Sequence, residues 1–209
     1  MLDANDRRVY GPDETAFRDT VRKVFEKELL PNLDRFEEEG LVSRDFWRAC
    51  GDAGMLCPGV PEEYGGLGLD FRYNAIIDEE IARFGLSGIG WGLHSDIAVP
   101  YIYHYGSDAL KQKYLPGCIS GDIITAIAMT EPGTGSDLQA VRTTAVLDGD
   151  DYIINGSKIF ITNGYLCDMA IVVCKTGDSE KGSANLSLII VEANRAGFSK
   201  GKPLNKIGM

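Results

Sequence analysis

From Thr125 to Ala140 the chain reads T-A-I-A-M-T-E-P-G-T-G-S-D-L-Q-A, and its residue types there suit chemistry better than anywhere else. An apolar run breaks at Thr130 into a loop where a proline, two glycines and small hydroxyl side chains replace anything bulky. Gly133 and Gly135 permit positive φ and bring N–H groups close to a ligand, while Thr130, Thr134 and Ser136 offer hydroxyls that donate or accept. Such a loop suits a phosphate or the edge of a ring. Taken by itself it reads first as a connection between strands, which is what Pro-Gly and Gly-rich turns commonly are.

Two kinds of element must position this loop. Before it, apolar residues recur at helical spacing. Phe17, Val21, Val24, Phe25, Leu29 and Leu33 mark an amphipathic helix from Pro12 to about Phe36, with Asp13 and Glu14 in its first turn and a bend at Pro31. Ser43 caps a helix reaching Gly54, and Leu56 to Asp70 is a Pro/Gly-rich loop with one short turn at Pro61–Tyr64. Asp70 caps a helix to about Phe84, closed by Gly85. Beyond the small-residue stretch Ser87–Gly90, a helical run covers Trp91 to Tyr105 with Pro100 inside it, and another opens at the cap Ser107 and ends near Ser120. Residues 1–121 therefore read as an all-α bundle whose short links make neighbours antiparallel.

At Asp122 the period changes. Ile123–Met129 is an apolar strand, and Arg142–Leu147 alternates before the turn Asp148-Gly149-Asp150. Tyr152–Ile154 leads to Asn155-Gly156, a hairpin signal, with Lys158–Thr162 as the returning strand and Asn163-Gly164 as a further turn. Met169–Lys175 and Leu186–Glu192 are Val/Ile-rich strands separated by the polar loop Gly177–Ser183. Residues 122–209 read as an all-β domain, a small barrel or sandwich. The last ten residues, Lys200–Met209, hold no finished element. Because proteins cover or pair strand edges, the expectation is a domain cut short.

At 209 residues with 44% apolar and 25% charged residues, the composition is that of a globular protein with ample core. A net charge of −10 without a basic run argues against nucleic acid as a partner. Cys50, Cys57, Cys118, Cys167 and Cys174 are odd in number and dispersed, as expected of reduced, buried cysteines in a cytoplasmic protein. The polar start Met1–Asp6 is unlike a signal peptide, and the apolar runs are too short for membrane insertion. His94 and His104 lie ten apart on one helix with no third ligand in sight, so no metal is expected. Asp78-Glu79-Glu80 and Glu37-Glu38-Glu39 read as solvated helix charges.

A helical half followed by a β half, with Met129-Thr130-Glu131-Pro132-Gly133-Thr134-Gly135-Ser136-Asp137 at the junction and Lys158-Ile159-Phe160-Ile161-Thr162-Asn163-Gly164 further on, resembles the acyl-CoA dehydrogenase family. His94-Ser95-Asp96 through Tyr105-Gly106 and the closing Lys206-Ile207-Gly208-Met209 resemble its long-chain-type branch. The resemblance implies an N-terminal helical bundle, an incomplete middle β-domain, and truncation before the family's C-terminal four-helix domain. It implies FAD as cofactor. Met129 and Thr130 match positions that bond the pyrimidine side of the flavin ring, Ile127 matches the start of the same strand, and Gly135 belongs to the same loop. Ser136 matches a hydroxyl at the FAD pyrophosphate that also lies close to bound acyl-CoA, Phe160 an aromatic packed on the flavin, and Thr162 a hydroxyl near N5. Trp91, Ser95 and Pro100 lie where the acyl chain would run, although core packing accounts for them as well.

The implied reaction is α,β-dehydrogenation of an acyl-CoA thioester to the trans-2-enoyl-CoA. Its base, a Glu of the C-terminal domain, matches no residue here, so no catalytic residue is assigned in this chain; Glu131 is read as a structural residue of the loop. By the same resemblance the acceptor is an electron-transfer flavoprotein and the assembly a homodimer or homotetramer. The alternatives are a non-catalytic relative or partner subunit, and an acyl-CoA oxidase or flavin monooxygenase of the same superfamily.

Overall fold

The structure, a computed structural model, describes residues 9–86, 88–177 and 185–206. Ser87, most of the polar loop after Gly177, the Met1–Asp6 start and the closing Ile207–Met209 lie outside the described residues. The chain divides into one unit of Met1–Ile123 with Asn205–Met209 and a second of Ile124–Leu204.

In the first unit helix α1 spans Pro12–Val24, its opening N–H on Gly11 held by Glu14 Oε2 at 2.9 Å. The helical path continues through a π turn, Phe25–Leu29, and a 3-10 turn, Leu30–Asn32, into α2, Leu33–Glu39. Pro31 sits in the irregular stretch because it has no N–H to give to a regular ladder. Helices α3 (Arg44–Asp52), α4 (Phe71–Arg83) and α6 (Asp108–Ser120) begin at Ser43, Asp70 and Ser107, whose side chains accept N–H bonds from Phe46, Arg72 and Leu110. Helix α5, Val99–Tyr105, is entered through a π turn over Leu93–Ala98, with Pro100 just inside it. The loss of the Pro100 N–H again coincides with a widened turn. Val21, Phe25, Phe36, Phe46, Trp47, Ile76 and Ile77 are buried in the core, with Phe25 placed 6.4 Å from Phe46 and 6.0 Å edge-on from Phe84.

The acidic run on α4 is the solvated face that its sequence suggests only at exposed Asp78. Glu80 is fully buried and accepts from Arg18 Nη1 at 2.8 Å and Arg22 Nε at 2.8 Å, while Glu79 accepts from Arg18 Nη2 at 2.7 Å. Burial alone would raise the Glu80 carboxyl, but the hydrogen bonds from Arg22 and Arg18 prevail and hold it below its usual range. Sequence spacing could not reveal this, since the partners lie on α1, about sixty positions earlier. Glu37, Glu38 and Glu39 are exposed.

The second unit is built on one mixed sheet. Strand β4, Met169–Lys175, pairs along its whole length with antiparallel β5, Leu186–Glu192. Its other side is shared: β1, Thr125–Ala128, runs parallel to Met169–Val172, and β2, Thr144–Asp148, meets Lys175 through Thr144. Strand β3, Asp151–Asn155, completes a hairpin with β2. Central β4 is buried from Met169 to Cys174, as its unbroken apolar run requires, and Ala126, Ala128, Cys167, Ala170 and Val172 form the core under it.

Two turn readings change. The hairpin turns at Gly149-Asp150, whereas Asn155-Gly156 ends β3 and is no hairpin. Gly156 serves close approach instead: a Cβ there would collide with the side chain of Thr143. Lys158–Thr162 is not a strand but an irregular segment entering the turn Thr162–Leu166. Phe160 and Asn163 there have φ of 58° and 61°, which no strand permits. All five cysteines are free and buried.

Candidate functional site

The two motifs come together as a stitched pair of backbone segments. Strand β1 ends at Ala128 and its chain continues through Met129 and Thr130 beside residues 158–163. Ile159 N–H donates to Thr130 O at 3.0 Å, Lys158 Nζ donates to Met129 O at 2.9 Å, and Asn163 Nδ2 donates to Thr125 O at 3.2 Å. The segment that fails to be a strand is thus anchored through its ends and one central N–H, which leaves Phe160 free to take its left-handed backbone. Phe160 is 69% exposed, so its ring presents an open apolar face beside these segments.

Beneath these segments lies a buried carboxylate. Glu131, 6% exposed, accepts from Arg142 N at 2.7 Å, Thr143 N at 2.9 Å, the Thr143 hydroxyl, and Lys158 Nζ at 2.9 Å. Burial pushes this carboxyl up, yet the bonds from the Thr143 hydroxyl, Lys158 and the two N–H groups hold it at about 2. An acid so fully engaged and so firmly ionised is a poor general base. Its placement agrees with a structural role in the loop.

The sequence-predicted residues fall into three places. Met129 and Thr130 are half-buried at the end of β1, and Phe160 and exposed Thr162 stand on the neighbouring segment. Ile127 is a sheet residue, 8% exposed and in register with Ile171. Gly135 and Ser136 are exposed at the tip of the loop, apart from the bonds that join the other two groups. Neither Gly133 nor Gly135 has positive φ, contrary to expectation, and a Cβ on either would meet nothing within 4 Å. The space around both glycines is open, so neither is required to avoid a clash. Thr134 is buried, its hydroxyl donating to Ala140 O at 3.0 Å, so it belongs to the loop's framework.

In the helical unit, Trp91 and Ser95 make the bonds of core residues. Trp91 Nε1 donates to Met55 O at 3.0 Å, and Ser95 Oγ accepts from Cys57 N at 3.2 Å. His94 is fully buried and donates from Nε2 to Cys118 O at 3.0 Å. Burial lowers its ring to about 4, so it is neutral and unsuited to proton transfer near pH 7. Among the described residues no group of three or more His, Cys, Asp or Glu is placed to hold a metal ion.

Sequence reasoning passed over Lys158 and Asn163, which do the stitching. The available signal was a single lysine at the head of an apolar run, a residue that strands disfavour.

An open glycine loop, exposed residues Ser136 and Thr162 with their hydroxyls, and an exposed aromatic suit a large planar ligand carrying phosphates. The donor set fits FAD. Comparison with known proteins points the same way. Residues 11–122 match the model of the acyl-CoA dehydrogenase N-terminal domain, and residues 126–209 that of its middle domain. The long-chain specific acyl-CoA dehydrogenase of Sus scrofa mitochondria is 45% identical over 210 residues, covering 100% of this chain and 49% of that protein. The crystal structure of acyl-CoA dehydrogenase from Geobacillus kaustophilus superposes with a TM-score of 0.92 at 48% identity, covering 95% of this chain and 53% of the other. A glutaryl-CoA dehydrogenase from Mycobacterium smegmatis, solved in complex with FADH2, gives 0.86 at 29% identity, covering 99% and 51%. The chain spans about half the length of the curated relatives it matches.

Proposed function

The chain belongs to the acyl-CoA dehydrogenase family, and from that premise we propose that it forms one face of a flavin site for the α,β-dehydrogenation of an acyl-CoA thioester. The observation that carries the reading is the stitched pair of segments. Ile159 N–H to Thr130 O brings Thr130 and exposed Phe160 onto neighbouring backbones. The cofactor is FAD, which when bound supplies the hydride acceptor.

This chain's residues bind and orient. The backbone at Met129 and Thr130, with the Thr130 hydroxyl, faces the pyrimidine side of the ring, where preorganised donors favour extra negative charge without reorganising. Phe160 would pack on the ring, and Thr162 would hold the reactive edge, where reacting atoms must approach within about 3–3.5 Å. Gly135 and Ser136 would hold the pyrophosphate, and the Ser136 hydroxyl would also meet the acyl-CoA. The proton is taken by a Glu outside this chain, and electrons leave to an electron-transfer flavoprotein. A cytoplasmic homodimer or homotetramer completes the proposal; five free, buried cysteines support a reducing compartment.

The test is direct. The complete gene product, purified, should be yellow, and its visible band should bleach anaerobically on adding acyl-CoA. A preparation that takes up no flavin would sink the reading. Rapid oxygen consumption after bleaching would convert it to an oxidase, and sedimentation velocity decides the assembly.

A further inference from the structure

Glu131 and Lys158 form a buried carboxylate–ammonium pair within the candidate site, and nothing in the reading above requires either charge. Lys158 Nζ bonds Glu131 Oε1 and Met129 O, both at 2.9 Å, with the lysine side chain 11% and the glutamate 5% exposed. One ammonium thus touches the last carbonyl before Thr130, while the segment carrying Phe160 begins at its own backbone. Glu131 in turn grips the N–H groups of Arg142 and Thr143.

We propose that Glu131 and Lys158 are positioning residues that lock the two flavin-facing segments in register and keep the charge behind them balanced. The inference rests on the flavin reading above. The physical argument is that a fold needing only rigidity could have used an apolar contact here, since a buried ion pair costs desolvation and often gains nothing over well-packed apolar residues. A pair so placed has a consequence an apolar contact lacks. Loss of either member leaves one uncompensated charge one peptide away from Thr130, in a setting of low dielectric where charge acts strongly.

The sign of that charge makes the test. Reduction places more negative charge at the flavin. Lys158→Met leaves the carboxylate alone and should lower the reduction potential of the bound flavin. Glu131→Gln leaves the ammonium alone and should raise it. The double variant should return toward the parent value, and Lys158→Arg should stay near it. The measurement is a spectroelectrochemical titration of the flavin-loaded, full-length protein, with the position of the visible absorption band as a second readout. Shifts of the same sign, or lowered melting temperatures with an unmoved potential, would overturn the proposal and leave a purely structural pair. Should Lys158→Met fail to fold, Glu131→Gln decides alone, because it keeps the shape and an acceptor oxygen; an unmoved potential then overturns it. A parent protein that binds no flavin would instead remove the reading on which the inference stands.

Discussion

Glu80 and Glu131 are both buried carboxylates, one in each unit, and they solve the same electrostatic problem in different ways. Glu80 is compensated by side chains: Arg18 and Arg22 reach it from α1, so the bonds fasten α4 to α1. Glu131 is compensated by the Thr143 hydroxyl, by one lysine that is itself shared with Met129 O, and by the main-chain N–H groups of Arg142 and Thr143. The first joins two helices whose own geometry is already settled. The second dictates the path of backbone that no regular element governs. A charge spent on helices marks architecture, whereas one spent on irregular backbone near exposed hydroxyls marks a place where shape itself is used.

The contrast breaks most readily at Glu80. Glu80→Ala strands two arginines beside a cavity and should cost about 3–5 kcal/mol in urea unfolding followed by far-UV circular dichroism. The flavin spectrum of surviving folded protein should not move; a loss no larger than that of exposed Glu38→Ala would erase the distinction. Acid should next separate the units. Burial holds His94 at about 4, below its ordinary 6.5, so its contribution is complete above about 6.5 and lost as pH falls toward 4, at a cost of about 3 kcal/mol. Glu131, held at about 2 against 4.5, contributes fully above about 4.5 and loses that only as pH falls toward 2. Asp96, raised by burial to about 6, gains stability as pH falls through the same window and offsets His94 in the parent curves, so the variants carry the test. His94→Gln should flatten the upper window, and Glu131→Gln the lower.

Gly156→Ala drives a methyl into Thr143, a partner of Glu131, and should cost about 1–3 kcal/mol by denaturant midpoint. It sharpens the comparison because it reaches the carboxylate without touching any charge. Phe160→Ala is the smallest for stability, within about 0.5 kcal/mol, since the ring is largely exposed and the change leaves the surface otherwise intact. Its effect should appear as weaker flavin retention on gel filtration. Retention equal to the parent would remove Phe160 from the site.

Local chemistry made much of the scaffold legible. Ser43, Asp70 and Ser107 cap helices where their side chains suggested, and the Val/Ile runs at Met169–Lys175 and Leu186–Glu192 are strands. Where reading failed, the deciding partner was remote in sequence. Glu80 looks solvated until Arg18 and Arg22 are placed beside it, and Lys158–Thr162 looks like a strand until Thr130 and Met129 claim its bonds. The candidate site repeats the pattern. Its proposed hydroxyls and aromatic come from motif alone, whereas the bonds made by Lys158 and Asn163 end on the Met129 and Thr125 carbonyls and on Glu131, partners that local sequence does not indicate.

The end-to-end placement of β1 and β2 along one side of β4 means that the chain leaves the sheet at Ala128 and rejoins the same side at Thr144. The excursion between them is cinched at its neck, where the carboxylate of Glu131 holds the amides of Arg142 and Thr143. A loop whose ends are already tied is nearly independent of its own length: doubling it costs only about 0.6 kcal/mol of closure entropy. The neck can therefore stay fixed while the tip around Gly135 and Ser136 is lengthened or rewritten, which lets the tip change without disturbing the sheet that carries it.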